Sequence, residues 1–429
     1  MHLPIRSLRR AIGSPVSIRH LCAGGHLYRD SKRVKLEAVW IPRTLLGIDV
    51  PANSAFDLEI VGRRVQAMKL STNAARRILL SGLVDAHTHI DKNYTVREVG
   101  AARGNLFDAI QRMKLHHAAW TSDAFFSRME RALTEAWRSG TRALRTHLDW
   151  PTVQAPASLQ AFERLRDEWA GRIELQFVSL TSLDMFADHA ASESIAREVA
   201  RARGILGAFV YRNENIADKL DRVFDLAEKY GLSLDFHVDE GLDAAATGLH
   251  TIAKMAILRH FPGRVVCGHA CSLSMQDEAS AHETLALCAQ ADIHLVALPT
   301  TNLYLQGAWD RTPIERGITR IREAAARGVR ASLATDNVQD AFYPFGGYDL
   351  LETFGLGVQM AHLTPAIEWL DAITLSPARA MGLAWDGRIA PGCPADLVLL
   401  EAADEHELMD RRGRRRTVIR AGEILENIE

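Results

Sequence analysis

The chain has 429 residues, 47% hydrophobic and 24% charged, with a formal net charge of −2. That near-neutral, globular composition gives no electrostatic footprint for nucleic acid or an anionic membrane surface. No run approaches the roughly 18 apolar residues of a membrane span. The five cysteines (Cys22, Cys267, Cys271, Cys288 and Cys393) are odd in number and form no CxxC pair. A disulfide framework is not expected, and a reducing, cytoplasmic setting fits.

The first 25 residues carry Arg6, Arg9, Arg10 and Arg19 among serines, with no acid before Asp30. The pattern is like an organellar presequence but is read as a disordered tail, residues 1–25. Short β-like runs follow, Ala38–Ile41 and Phe56–Val61. The same texture returns after Leu383, in Ala395–Leu400 and Val418–Leu425. One small β domain, 26–78 with 384–429, is therefore expected from the two termini.

The middle, 79–383, alternates. Strands are predicted at Leu79–His89, Ala143–Asp149, Glu174–Leu180, Leu206–Tyr211, Leu232–Asp239, Val265–His269, Leu295–Pro299 and Ala331–Asp336. Helical periodicity occupies the stretches between them, as in Ala124–Ser139, Ile216–Tyr230 and Ala279–Gln290. Gly140, Gly231 and Gly328 follow such stretches, where a left-handed helix end is expected. Eight β-then-α units in succession predict a (β/α)8 TIM barrel beside the small β domain built from both termini. No GxGxxG or P-loop pattern suggests a nucleotide cofactor. The basic run Arg411–Arg416 is read as a solvated turn.

In such a barrel the strand C-termini converge on one face. His87 and His89 end strand 1, two residues apart and so on one side of it. His237 ends strand 5, His269 strand 6 and Asp336 strand 8. Three imidazoles and a carboxylate make a nitrogen-and-oxygen site for a divalent ion such as zinc, iron or manganese. An ion there brings the pKa of a bound water towards about 7. Glu240, three residues past His237, is placed to hand over a proton. Lys92 is expected to neutralise a nearby acid. No lysine lies in Leu206–Tyr211 to bridge two metals, so one ion is expected. Cys267 and Cys271 flank His269 and are read as buried structural thiols rather than ligands.

Further motifs sharpen this picture. They are Asp85-Ala86-His87-Thr88-His89-Ile90-Asp91-Lys92, Gly104-Asn105-Leu106-Phe107, Arg145-Thr146-His147-Leu148-Asp149, His237-Val238-Asp239-Glu240, Asn302–Gly307, Arg316–Arg320, and Asp336–Asp340 with Tyr343–Gly346. With them the chain resembles the amidohydrolase superfamily, in its cytosine deaminase-like branch, from about Gly82 to Leu400. The resemblance implies a (β/α)8 TIM barrel with a small β-sandwich domain formed by both termini, one catalytic Fe2+ or Zn2+, and hydrolytic loss of ammonia from a small aminated heterocycle. It also implies a homo-oligomer, since the family often assembles. By resemblance, His87, His89, His237 and Asp336 match the metal ligands. Glu240 matches the acid that protonates the ring nitrogen, and His269 the histidine that holds or deprotonates the water. Asp336 matches the carboxylate that moves the water's proton, and Leu106 and Phe342 match pocket-lining positions.

Two positions depart from cytosine deaminases. Ser182 stands where a glutamine reads the amide edge of the pyrimidine, and Asn337 stands where an aspartate follows the strand-8 Asp. Asn at that place resembles the enzymes that release an alkylamine from N-alkylammelide. The expected activity is thus a cytosine-like deaminase. The alternatives are release of an alkylamine from an s-triazine and deamination of a larger ring such as a pterin.

Overall fold

The computed structural model describes residues 28–30, 33–51, 54–410 and 415–425. The 1–25 tail and most of the Arg411–Arg416 run lie outside the described residues. Eight parallel strands form the centre: β1 (Leu83–Thr88), β2 (Thr141–Asp149), β3 (Glu174–Ser182), β4 (Ile205–Val210), β5 (Leu234–Val238), β6 (Val265–His269), β7 (His294–Ala297) and β8 (Arg330–Leu333). Each pairs in parallel with its neighbour in sequence. A bridge between Thr88 and Asp336, with Asp336 N–H donating to the His87 carbonyl at 3.0 Å, brings β1 beside β8. This is the expected (β/α)8 barrel.

The helices between strands begin and end on local chemistry. Thr121 caps Ser122–Ser139 by accepting from Ala124 N–H at 3.2 Å, and Asp277 caps Glu278–Gln290 through Ser280 N–H at 3.0 Å. Gly140 then ends the first of these at φ +107°, where an added Cβ would meet the Val398 side chain at 2.7 Å. A helix absent from the sequence reading, Leu106–His117, occupies the long connection after β1. Its start is set by Asn105, whose side chain accepts from Phe107 and Asp108 N–H.

The second sheet comes from both ends of the chain. Its order is Glu423–Ile424, Arg416–Arg420, Leu397–Leu400, Arg77–Ser81, Arg33–Trp40, Ala55–Val61 and Arg64–Leu70, with Tyr28–Asp30 added beside Arg33–Trp40. The predicted single strand Leu79–His89 is in fact shared between the two sheets. Leu80 pairs with Val398 in the terminal sheet, whereas Leu83 starts the barrel beside Thr141. Gly82 is the handover, its N–H donating to the Asp396 carbonyl at 2.7 Å. Ile78, Leu79 and Leu80 are fully buried, as are Leu83 and Val84. A run apolar on both faces carries no sign of the point at which it changes sheets. The terminal sheet and the barrel share one apolar cluster, in which Leu36, Leu58 and Leu399 meet Phe354, Leu370 and Ile373.

Candidate active site

The C-terminal ends of β1, β5, β6 and β8 bring the sequence-predicted residues together. His87 lies in β1 and His89 just beyond it, and both are buried. His237 Nε2 stands 3.2 Å from His87 Nε2 and 3.1 Å from His89 Nε2. Asp336 Oδ1 is 3.2 Å from His89 Nε2 and 3.6 Å from His87 Nε2. Two ligands at the usual zinc–nitrogen distance of about 2.0–2.1 Å from one ion stand roughly 3.0–3.4 Å apart. Three of these separations fall in that range and the fourth is 3.6 Å, close enough for the four groups to gather round one divalent ion. Both Asp336 oxygens and His269 Nε2 are buried without a hydrogen-bond partner among the described residues. Such orphaned atoms are costly unless a ligand engages them.

The protonation pattern suits the same reading. Burial drives His87 and His237 well below the ordinary imidazole range, with neighbouring imidazoles adding to the effect. They stay neutral, the form that binds metal. Burial opposes ionisation of Asp336, but His89 and His269 beside it outweigh that and keep it a carboxylate. Burial, helped by the Asp336 charge, pushes Glu240 well above the usual carboxyl range, so it holds a proton. Its Oε1 lies 3.5 Å from His269 Nδ1. Burial brings His269 down to about 4, and Asn302 Nδ2 donates to its Nδ1 at 3.2 Å.

Strand-end geometry aims these groups inward. Asp239, His269 and Asp336 have φ of +48°, +70° and +62°. Left-handed conformations in non-glycine residues cost about 1–2 kcal/mol each. Local hydrogen bonds hold them there. The Asp239 carboxylate accepts from Gly248 and Leu249 N–H at 3.0 and 2.9 Å, which anchors the turn carrying Glu240. Thr319 Oγ1 donates to the His269 carbonyl.

Above this floor opens a cavity of about 720 Å³. Leu106, Ser182, Asn337 and Phe342 all line it, together with His89, His237, Glu240 and His269. Phe107, Ile110, Phe209 and Tyr211 supply apolar walls. Ser182 is exposed, and Asn337 spends its amide N–H on Asp340 Oδ2 at 2.7 Å. Cys267 and Cys271 are buried free thiols, pushed up by burial, and are absent from the His/Asp clusters that can hold an ion.

The structure adds residues that sequence reasoning gave no role. His147 of β2 packs against His87, ring centroids 3.9 Å apart; neither ring nitrogen has a hydrogen-bond partner among the described residues, and Nε2 stands 3.9 Å from Asp235 Oδ1. Asp85 ties β1 to β8 by accepting from Thr335 Oγ1 at 2.6 Å, and burial lifts it to about 7. Arg145 and Asp235 pair at 2.7 Å beneath the histidines. Lys92 pairs with Asp149 at 2.5 Å, matching the expectation that it neutralises an acid. The Arg145–Asp149 motif was the available signal for three of these residues, because alternation puts 145, 147 and 149 on one face of the strand.

Residues 94–425 match the model of the amidohydrolase family. The chain belongs to that family. A pterin deaminase from Rhizobium rhizogenes is 37% identical to this amidohydrolase over 345 residues, spanning 80% of this chain and 79% of the relative. An N-isopropylammelide isopropyl amidohydrolase from a Pseudomonas species is 24% identical over 393 residues, spanning 87% and 94%. Among solved structures, 5-methylcytosine deaminase from Klebsiella pneumoniae superposes with a TM-score of 0.82 at 26% identity, covering 92% of this chain and 98% of that one. The protein is thus a hydrolase of non-peptide C–N bonds, in a metal-dependent family, with a His/Asp cluster fit for an ion. No helix among the described residues is long and apolar enough to cross a membrane.

Proposed function

We propose that this amidohydrolase is a hydrolytic deaminase of an aminated lactam heterocycle of pterin size. The observation that carries the reading is the cavity. At about 720 Å³ it lies well inside the usual range for ligand sites, about 300–1,000 Å³, and exceeds what one six-membered ring fills. The 37% identity to a pterin deaminase supports the same size class. Ser182, short and at the rim, leaves space on the β3 side.

His87, His89, His237 and Asp336 would hold a single Fe2+ or Zn2+. When bound, the ion supplies Lewis-acid activation of a water molecule. The protonated Glu240 gives its proton to the ring nitrogen beside the amino-bearing carbon, which makes that carbon more electrophilic. Asp336, kept as a carboxylate, takes the proton of the attacking water and passes it to the amine. The neutral His269 orients the water through its unpartnered Nε2. A C–O bond forms and the C–N bond breaks; ammonia leaves with the proton carried by Asp336, the hydroxyl proton of the adduct returns to the Glu240 carboxylate, and the ring is left as a lactam. The apolar walls exclude bulk water and strengthen each of these polar contacts.

A cytosine-like single ring is the second reading, favoured by the superposition on 5-methylcytosine deaminase. The test is amine release by metal-loaded enzyme from pterin, cytosine, 5-methylcytosine and an N-alkylammelide. Ammonia from pterin with kcat/KM above about 10⁴ M⁻¹s⁻¹, ordinary for an enzyme, is the expected result. Turnover of cytosine with pterin inert would make the single-ring reading correct. An alkylamine as the principal product would overturn both.

A further inference from the structure

We propose that Lys92 and Asp149 together read the lactam edge of the substrate, Lys92 donating to the ring carbonyl and Asp149 accepting from the adjacent ring N–H. The inference rests on the lactam-heterocycle reading above. A –NH–C(=O)– edge enclosed in a cavity needs one donor and one acceptor side by side, since unpaired buried polar atoms are costly. Several wall groups are polar. One of the two Asn337 amide N–H groups donates to Asp340. Asn213 Nδ2 donates to Asp184, and its Oδ1 accepts from Tyr211 N–H. Ser182 sits exposed at the rim.

Lys92 and Asp149 differ from these. Both line the cavity, yet Lys92 is 2% exposed. Its ammonium has three donors, and one hydrogen bond, to Asp149 Oδ1, engages them among the described residues. Asp149 Oδ2 has no protein donor there. Donor and acceptor thus stand adjacent, each with capacity left over, on a wall that also carries Phe342, whose ring centroid is 5.2 Å from Lys92 Nζ. The pair is braced from behind. Asp149 N–H donates to Asp91 Oδ2 at 2.9 Å, and Arg128 Nη1 to the Asp91 carbonyl at 3.1 Å. A rigid pair is pre-organised for a flat edge and loses little freedom on binding.

The contact has a consequence for rate as well as binding. When Glu240 protonates the ring and water adds, electron density in the conjugated lactam shifts towards its carbonyl oxygen. An ammonium on that oxygen stabilises the change.

The experiment uses metal-loaded, full-length protein and two probes that share the 2-amino group. Pterin has the lactam edge; 2-aminopteridine lacks it. Both fluoresce, so Kd is read by titration in a Glu240→Gln background, where turnover is nearly silent. Wild type is expected to prefer pterin by about 10²-fold in kcat/KM, the scale of a charged hydrogen bond lost in a buried site. Lys92→Met should shrink that preference to about 3-fold or less, the loss falling far more heavily on pterin than on 2-aminopteridine. A merely structural Lys92 would instead depress both probes equally. Should Lys92→Met fail to fold, Lys92→Gln retains length and a neutral donor, with an expected preference of roughly 10-fold. Full wild-type preference in either variant, or no preference in wild type, overturns the proposal. If no aminated ring releases ammonia yet Lys92 variants lose the Kd preference, the deaminase reading fails and the edge-reading pair stands.

Discussion

At the ends of β1, β5, β6 and β8, buried histidines and carboxylates crowd together with polar atoms left unpartnered and three strand ends in left-handed conformations. In the terminal sheet, Ile78, Leu79 and Leu80 pair with Leu400, Leu399 and Val398 and bury their side chains among other aliphatic groups. Both regions are buried, but the first borders the cavity and the second does not. One stores unmet hydrogen-bonding capacity and backbone strain, and the other stores apolar contact. Cost without local compensation marks the region that awaits a ligand. The contrast predicts that substitutions at the two regions fail in different currencies.

The largest effect is expected from Asp336→Ala. It should lower both the bound metal and the rate, the latter on the order of 10⁴-fold, because several kcal/mol of stabilisation depart with the ion. Metal analysis beside ammonia assays checks this; full metal content with full activity would remove Asp336 from the site. Glu240→Gln should leave metal content intact and cut kcat by about 10³-fold, the range for a lost general acid. Near-normal kcat would assign proton delivery elsewhere.

Leu79→Ala tests the other side of the comparison. It should cost about 2–5 kcal/mol of stability through a cavity in the terminal sheet, seen in denaturant melts. Activity per folded molecule and metal content should hold, and a specific loss of kcat would show that the two regions are coupled. Ser182→Gln sharpens the cavity argument. Filling the β3 side should lower kcat/KM for a bicyclic ring by about 10-fold and favour a single ring, on the scale of 1–3 kcal/mol for small pocket changes. Smallest is Asn105→Ala, which removes the cap of Leu106–His117 at about 1 kcal/mol. A modest fall in thermal stability with unaltered metal binding is the expected outcome.

The same comparison explains what the sequence could reveal. His87, His89, His237, His269 and Asp336 were legible because β-runs ending in ligand-type residues recur, and the barrel rule sends those ends to one face. Glu240 was legible by its spacing from His237. The Lys92–Asp149 and Arg145–Asp235 pairs were harder to see. Each joins residues more than 50 positions apart, and only strand order brings them together. His147 lay inside a quoted motif, but a histidine in a strand carries no sign of its stacking partner. The division at Gly82 was hidden because the apolar runs Ile78–Leu80 and Leu83–Val84 stand on either side of it. The helix Leu106–His117 was masked by the loop-like Gly104-Asn105 that in fact caps it.

The central claim is that these buried groups form one metal-dependent hydrolytic site. The most direct measurement strips the protein with a chelator, adds back Fe2+ or Zn2+ in steps, and follows bound metal and ammonia release together. The account predicts activity that rises in proportion to occupancy and saturates at one ion per chain, with Glu240→Gln binding the same ion and staying nearly silent. Full ammonia release from metal-free protein, or occupancy that rises without any gain in activity on every aminated ring tried, would contradict it.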